Sequence, residues 1–455
     1  MRPLEPPIRP LSTLHREFEE IPRSHAGSFL SAFEGQPRGF WGSRDRWFAW
    51  AGVLGRIRVP HDGAQDRFDL VRSTAARILE ASGQGSRAEP ERGRLRFFGG
   101  FSFLGTGSRD SGWERFASAD FVLPRFVLEG EADRTRLLAM DLETAGVDES
   151  AVDALVARLR GAPQPSRARP APEACWKSVE DPGAHRRWKA AVRRALERVE
   201  DGTIRKVVLA RTFDVAFERE VNTLESLSFL RHENRRAHVY FVEPAPGRVF
   251  MGASPEVLAH LEGGRFQATA VAGSIRRGAT PEEDSELARR LLTSRKDGIE
   301  HRLTAQEMVE VLEPRLLRME VEDTPRVLKL ARIQHLETAI RGLAGPGEDI
   351  LSLVRSLHPT PAVCGRPRAA AQELIREAEP FDRGWYAAPM GWFDSEGDGT
   401  FVPALRATVG GATRWRLFAG AGIVAGSDPE AEWEETGLKF EPALRALSGG
   451  AASNR

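Results

Sequence analysis

The sequence predicts a protein of mixed strands and helices, long enough for a large sheet-based enzyme. Three observations carry this expectation. Segments that read as strands recur along the chain: at 40–58 aromatic and β-branched residues alternate with polar ones, and 95–104 and 204–211 are apolar on both faces. Some come as adjacent pairs, 239–243 with 248–252, and two more within 381–409 about a Gly-Asp-Gly turn. Between them lie stretches with apolar residues at helical spacing, such as Val152, Leu155, Val156 and Leu159. At 455 residues the chain could hold two or three average domains or one large sheet-based enzyme.

Taken in order, residues 1–35 read as a poorly ordered lead-in. Strands follow over 40–58, a helix over 66–82, and a strand over 95–104 (LRFFGGFSFL) with Gly99 and Gly100 marking a bulge or close approach. Two more strands, 121–128 and 136–142, precede a helix over 148–160. GAPQPSRARPAP, 161–172, is the clearest linker. Beyond it a helix over 183–200 leads into IRKVVLAR, 204–211. Here Lys206 shares a face with Val208 and Ala210 while Val207 and Leu209 fill the other, so strand and lysine are expected to be buried together. Burial lowers an amine's pKa and lets it act as a base near neutrality. A strand-end lysine that snorkels to water is the ordinary alternative.

The next strand pair ends in GASPE, which puts Glu256 at a strand end or turn; 266–271 then exits through Ala272, Gly273 and Ser274. Thr280-Pro281-Glu282-Glu283 is a capping box that starts a helix. Gly298 is expected to interrupt it, with Glu300 near the start of a second helix. Residues 326–342 read as one long strand or two, with His335 and Glu337 on one face; a satisfied core histidine would explain His335 equally well. A helix through Leu351, Val354 and Leu357 stops at His358-Pro359, and Pro367 begins another. Arg406 is expected near the end of the second strand of the 381–409 pair.

The chain converges on 418–439, FAGAGIVAGSDPEAEWEETGLK. Gly420 and Gly422 allow a ligand close to bare backbone. Glu432 and Glu435, three apart on a helix, can face one cation, and Lys439 can reach the same cleft. A glycine loop before a solvated acidic helix is the plainer explanation. The bulk numbers exclude other classes. Sixty-five basic residues balance 65 acidic ones, so no global field draws the chain to nucleic acid or an anionic membrane. Two cysteines, Cys175 and Cys364, exclude a disulfide scaffold and suit a reducing, cytoplasmic setting. The first 20 residues do not form a signal peptide, and no run of 18 apolar residues offers a membrane span.

From 206 to 439 the ordered segments KVVLAR, GASPE, AGS, SRKDGIEH, QHLET, HPTPAVCG, FDRGWY, DSEGDG, ALRA and FAGAGIV…EWEETGLK resemble the chorismate-utilising enzymes. FFGGFSF and FVLPRF resemble isochorismate synthases of the menaquinone type. The resemblance implies an α+β fold: a single large intertwined domain of stacked, mainly antiparallel sheets flanked by helices. Residues 1–172 would be its scaffold half and 173–455 its chorismate-binding catalytic region. It implies Mg²⁺ on Glu300 and Glu435 with Glu432 close by, and substrate held by Gly273, Ser274, Arg406, Gly420 and Lys439 beside His335. Members that install nitrogen carry glutamine where this chain has Lys206, and the aminodeoxychorismate type puts a lysine where it has Ala272. Lys206 as base and Glu256 as acid therefore point to isochorismate as product, with no glutaminase subunit, nucleic acid or membrane as partner. A salicylate synthase shares these residues and is the nearest alternative; a non-catalytic binding relative is a more distant one. Ala388, where a glycine is expected, and Pro403, in a strand expected to be central, depart from the pattern.

Overall fold

Along the strand Arg46–Ala51 the side chains alternate between two separate cores. Phe48 and Trp50 enter one, Trp47, Ala49 and Ala51 the other. Its neighbour Arg38–Gly42 sends Trp41 to the first and Phe40 to the second. Strand geometry imposes this period of two, and apolar groups on both faces require cover on both sides. The cover is a second sheet on one side and helices on the other.

The computed structural model describes residues 12–18, 25–61, 66–81, 94–105, 111–131, 134–141, 147–161, 175–179 and 181–450. Among these, one sheet has 12 strands and the other 10, and every strand pairing is antiparallel. Between the sheets Phe48 meets Phe98 and Trp392, with ring centroids 5.4 and 5.5 Å away. The second core lies under the helices Ala26–Ala32, Glu149–Gly161, Thr223–Glu233 and Pro429–Leu447, which bury Phe29, Val152, Leu227 and Phe440 in it. This is the α+β architecture expected from the resemblance.

Both sheets draw strands from before and after residues 162–174. Arg38–Gly42 pairs with His238–Ala245, and Arg96–Phe101 with Pro389–Asp394. Most of the expected linker lies outside the described residues. Among the described residues no helix is long and apolar enough to cross a membrane.

Four expectations need correction. The lead-in contains a strand, Ser12–Phe18, paired along its length with Arg134–Asp141, and the helix Ala26–Ala32. Pairing across so many residues has no local signal. The segment 121–128 is two strands: Ala119–Leu123 belongs to the 10-stranded sheet and Phe126–Glu131 to the 12-stranded one. Pro124 stands between them and cannot donate to a ladder. The helix break falls at Ser294, whose hydroxyl accepts the Asp297 N–H at 3.3 Å, so Gly298 lies inside the helix Arg295–Leu312. Finally, the strand Gly399–Pro403 ends three residues before Arg406, where Pro403 faces Pro389 and neither has an N–H to give. Ala388 is not asked for glycine's freedom, because the left-handed residue there is Ala387 (φ 61).

Candidate active site

The strand Lys206–Phe217 is buried on both faces over its first five residues, as the alternation of its side chains predicts. Val207 and Leu209 pack in the core that includes Val192 of the helix Ala184–Glu200. On the other face the Lys206 side chain is 0% exposed. Its Nζ donates to Thr304 Oγ1 at 3.0 Å and lies 3.2 Å from Glu300 Oε1. Snorkelling is therefore excluded. Burial is the dominant influence on the amine and lowers its pKa, against the pull of Glu300 and Glu256.

Gly422 sits opposite Val208 on the paired strand Arg414–Ile423, and Gly420 opposite Ala210. A Cβ at 422 would fall on Glu300 Oε1 and lie 3.2 Å from Lys206 Cε. The bare backbone at this position makes room for the base and its carboxylate partner.

Glu256 follows the strand Arg248–Ser254 in a turn held by the Val257 N–H donating to Thr269 Oγ1 at 2.9 Å. Its side chain lines the pocket, yet the residue is only 1% exposed, and Oε1 has no hydrogen-bond partner among the described residues. Burial pushes its carboxyl up to about 8, with Lys206 opposing and Glu337 adding to the shift. At neutral pH this carboxyl carries a proton that it can give away.

The strand Arg265–Arg276 is bulged between Ala272 and Ser274 against Ile333–Ala344, with Gly273 at φ 75. The bulge turns the Gly273 carbonyl and the Ser274 hydroxyl to His335 Nδ1, at 3.1 and 3.0 Å. Arg406, itself left-handed at φ 52, donates to His335 Nε2 at 2.9 Å. Since arginine only donates, Nε2 must accept and Nδ1 carries the proton. Burial and the charges of Arg406 and Lys439 lower the imidazole to about 3, so it is neutral. The Arg406 loop is fixed by Tyr240, whose hydroxyl donates to the Leu405 carbonyl at 2.9 Å.

Three carboxylates come from two helices, Glu300 from Arg295–Leu312 and Glu432 and Glu435 from Pro429–Leu447. Each faces a lysine: Glu300 faces Lys206, Glu432 faces Lys296 at 2.7 Å, and Glu435 faces Lys439 at 2.6 Å. Lys439 also donates to the Gly420 carbonyl at 2.9 Å. Burial, then the neighbouring Glu435, pushes Glu432 up to about 7. For Glu435 burial acts against ionisation, but Lys439 and Lys296 outweigh it and hold the carboxyl well below its usual range. Among the described residues no three acidic, His or Cys side chains already surround one point. The donor set nonetheless suits a hard divalent cation: all ligands are oxygen, and the buried Glu432 Oε2 has no hydrogen-bond partner among the described residues.

The pocket at this site has a volume of about 70 Å³ and is lined by Glu256, Gly273, Ser274, Glu300, His335, Arg406, Gly420 and Lys439, whereas Glu432 and Glu435 are not part of its lining and reach it only through Lys439, the partner of Glu435. Lys206 stands just behind this wall, against Glu300 and Gly422. Its wall also contains residues not singled out in the sequence. Tyr386 stacks on Phe418 with centroids 5.1 Å apart, and burial pushes its hydroxyl up to about 12. Arg383 donates to the carbonyls of Val363 and Val208, each at 2.7 Å, and so ties the loop carrying Ala362 and Val363 to the Lys206 strand. Thr304, Lys296 and His301 were also missed; His301 meets Thr338 Oγ1 at 2.7 Å. Spacing could have exposed Thr304, four residues after Glu300 on one helix face. For the others no local signal exists.

The family described as chorismate binding enzyme matches residues 10–448. The salicylate biosynthesis isochorismate synthase of Pseudomonas aeruginosa is 39% identical over 358 residues, 78% of this chain and 74% of that protein. Isochorismate synthase MenF of Bacillus subtilis is 34% identical over 356 residues, 77% of this chain and 74% of its own. The structure of Escherichia coli MenF, a menaquinone-specific isochorismate synthase, superposes with a TM-score of 0.77 over 98% of this chain and 96% of that one; at 24% identity this is a likeness of fold.

Proposed function

The chain belongs to the chorismate binding enzymes, and we propose that it is a Mg²⁺-dependent hydroxymutase that converts chorismate to isochorismate. The observation that carries the proposal is the burial of two groups of opposite character, Lys206 and Glu256, at one site. Burial favours the neutral amine of one and the protonated carboxyl of the other, and the two are near enough to influence each other's ionisation.

Neutral Lys206 removes a proton from water as the oxygen bonds to C2 of the ring. The ring double bonds shift, the C4–O bond breaks, and the departing hydroxyl takes its proton from Glu256. One water enters and one leaves, so the reaction is reversible with little driving force. Arg406 and Lys439 offer cationic donors for the substrate carboxylates, and His335, locked as the Nδ1–H tautomer by Gly273 and Ser274, fixes Arg406 in place. Mg²⁺ held by Glu300 and Glu435, with Glu432 as a further oxygen donor, would supply positive charge for the ring carboxylate.

Losing either proposed metal carboxylate removes an anionic ligand while leaving the fold's cores untouched. Glu300→Gln and Glu435→Gln should each raise the Mg²⁺ concentration for half-maximal activity steeply, and weaken Mg²⁺ binding measured by calorimetry. An unchanged titration in either variant removes that residue from the metal site.

Eliminating pyruvate from isochorismate requires a ring conformer that brings the C2 hydrogen to the enolpyruvyl group. The loop residues lining the pocket here, Ala362 and Val363, carry no polar group to impose it. The purified protein with chorismate and Mg²⁺ should accumulate isochorismate, and should return chorismate when fed isochorismate. Stoichiometric pyruvate in a coupled lactate dehydrogenase assay would make it a salicylate synthase instead. Supply of menaquinone is the proposed use of the product; a deletion strain that keeps its menaquinone would redirect the activity to another pathway.

A further inference from the structure

The strand Leu316–Val321 lies at one end of the 10-stranded sheet and pairs on one side with Ile333–Ala344. Among the described residues no strand pairs with its other side. The Glu322 N–H donates inward to the Ala339 carbonyl at 3.1 Å. By the alternation of a strand, Met319 and Val321 then turn their N–H and C=O groups outward. Unpaired edges of this kind invite another strand, and proteins commonly block them with charge or proline.

This edge carries charge of both signs. Arg318 and Glu320 flank Met319, form an ion pair at 2.8 Å, and have side chains 77% and 64% exposed. Leu317 and Val321, the next positions out, are apolar and 65% and 37% exposed. The sequence is therefore complementary to itself when run in reverse about Met319. We infer that Leu316–Val321 is the contact surface of a two-fold dimer, in which two copies of this strand pair antiparallel about Met319 and join the sheets of two molecules. In that register Arg318 faces Glu320 of the second copy twice over and the outward polar groups of Met319 pair with their own equivalents, while Leu317, at the irregularity between Leu316 and Arg318, adds exposed apolar surface at the end of the contact. The contact is isologous and closes on itself, as a two-fold requires. The strand contributes no side chain to the pocket, so dimer and activity can be tested separately.

Sedimentation equilibrium of the full chain should show a reversible dimer. Glu320→Arg places like charges opposite one another and should give monomer with unchanged kcat. The double variant Arg318→Glu/Glu320→Arg rebuilds the complementarity and should restore the dimer. Met319→Pro removes an outward N–H that the inner ladder does not use, and should also give active monomer. A parent protein that stays monomeric over its whole soluble range would overturn the inference. So would a dimer that survives Glu320→Arg or Met319→Pro, or a double variant that does not re-form it.

Discussion

Replacing Lys206 by alanine is expected to lower kcat by about 10²–10⁴-fold, the usual worth of a positioned general base, while chorismate still binds. No charged side chain among the described residues is more completely enclosed, and among these residues the polar partners of the amine are Thr304 and Glu300. Removing it leaves a cavity and an unpaired carboxylate, so alanine alone could act through stability. Lys206→Met fills the same space without a basic atom and so removes the cavity from the comparison, and urea unfolding of both variants reads what the unpaired Glu300 costs. Both variants should bind chorismate in calorimetry and both should be inactive. Turnover within about tenfold of the parent in the methionine variant would take the base role from Lys206.

Glu256→Gln should abolish turnover and yet stabilise the fold. The folded carboxyl titrates at about 8, against an ordinary value of 4.5. Because the folded value is the higher one, the fold keeps a proton that the unfolded chain gives up, and stability is lost as pH climbs from about 4.5 to about 8. At pH 7 this costs on the order of 3 kcal/mol. Glutamine has no proton to lose, so urea unfolding should show the variant gaining on the parent between pH 5 and pH 8. Parallel stability curves would contradict the buried neutral acid. In the parent, kcat/KM should fall above about pH 8 as Glu256 ionises, and rise from the acid side as Lys206 loses its proton.

What the sequence made legible follows from how local each signal is. Lys206 could be placed because five consecutive strand residues declare which faces are apolar, and the helix Pro429–Leu447 because Glu432, Glu435 and Lys439 share a spacing. The route of the chain between sheets was not legible. One proline moves it from the 10-stranded to the 12-stranded sheet between Leu123 and Phe126, and Ser12–Phe18 finds its partner more than a hundred residues away. Tyr386, Arg383 and Lys296 gain their roles from neighbours brought in by tertiary packing. Glu256 had no periodic signature either; its assignment came from the resemblance, and its burial supplies the physical reason.

Carrying out the conversion in ¹⁸O-labelled water tests the central claim most directly, because attack by solvent at C2 leaves a mark on the product. Isochorismate formed in a single pass and analysed by mass spectrometry should carry one labelled oxygen, located on C2, with the released C4 oxygen lost to solvent. Unlabelled isochorismate would mean that the hydroxyl migrates without solvent water, and Lys206 would then have no proton to take.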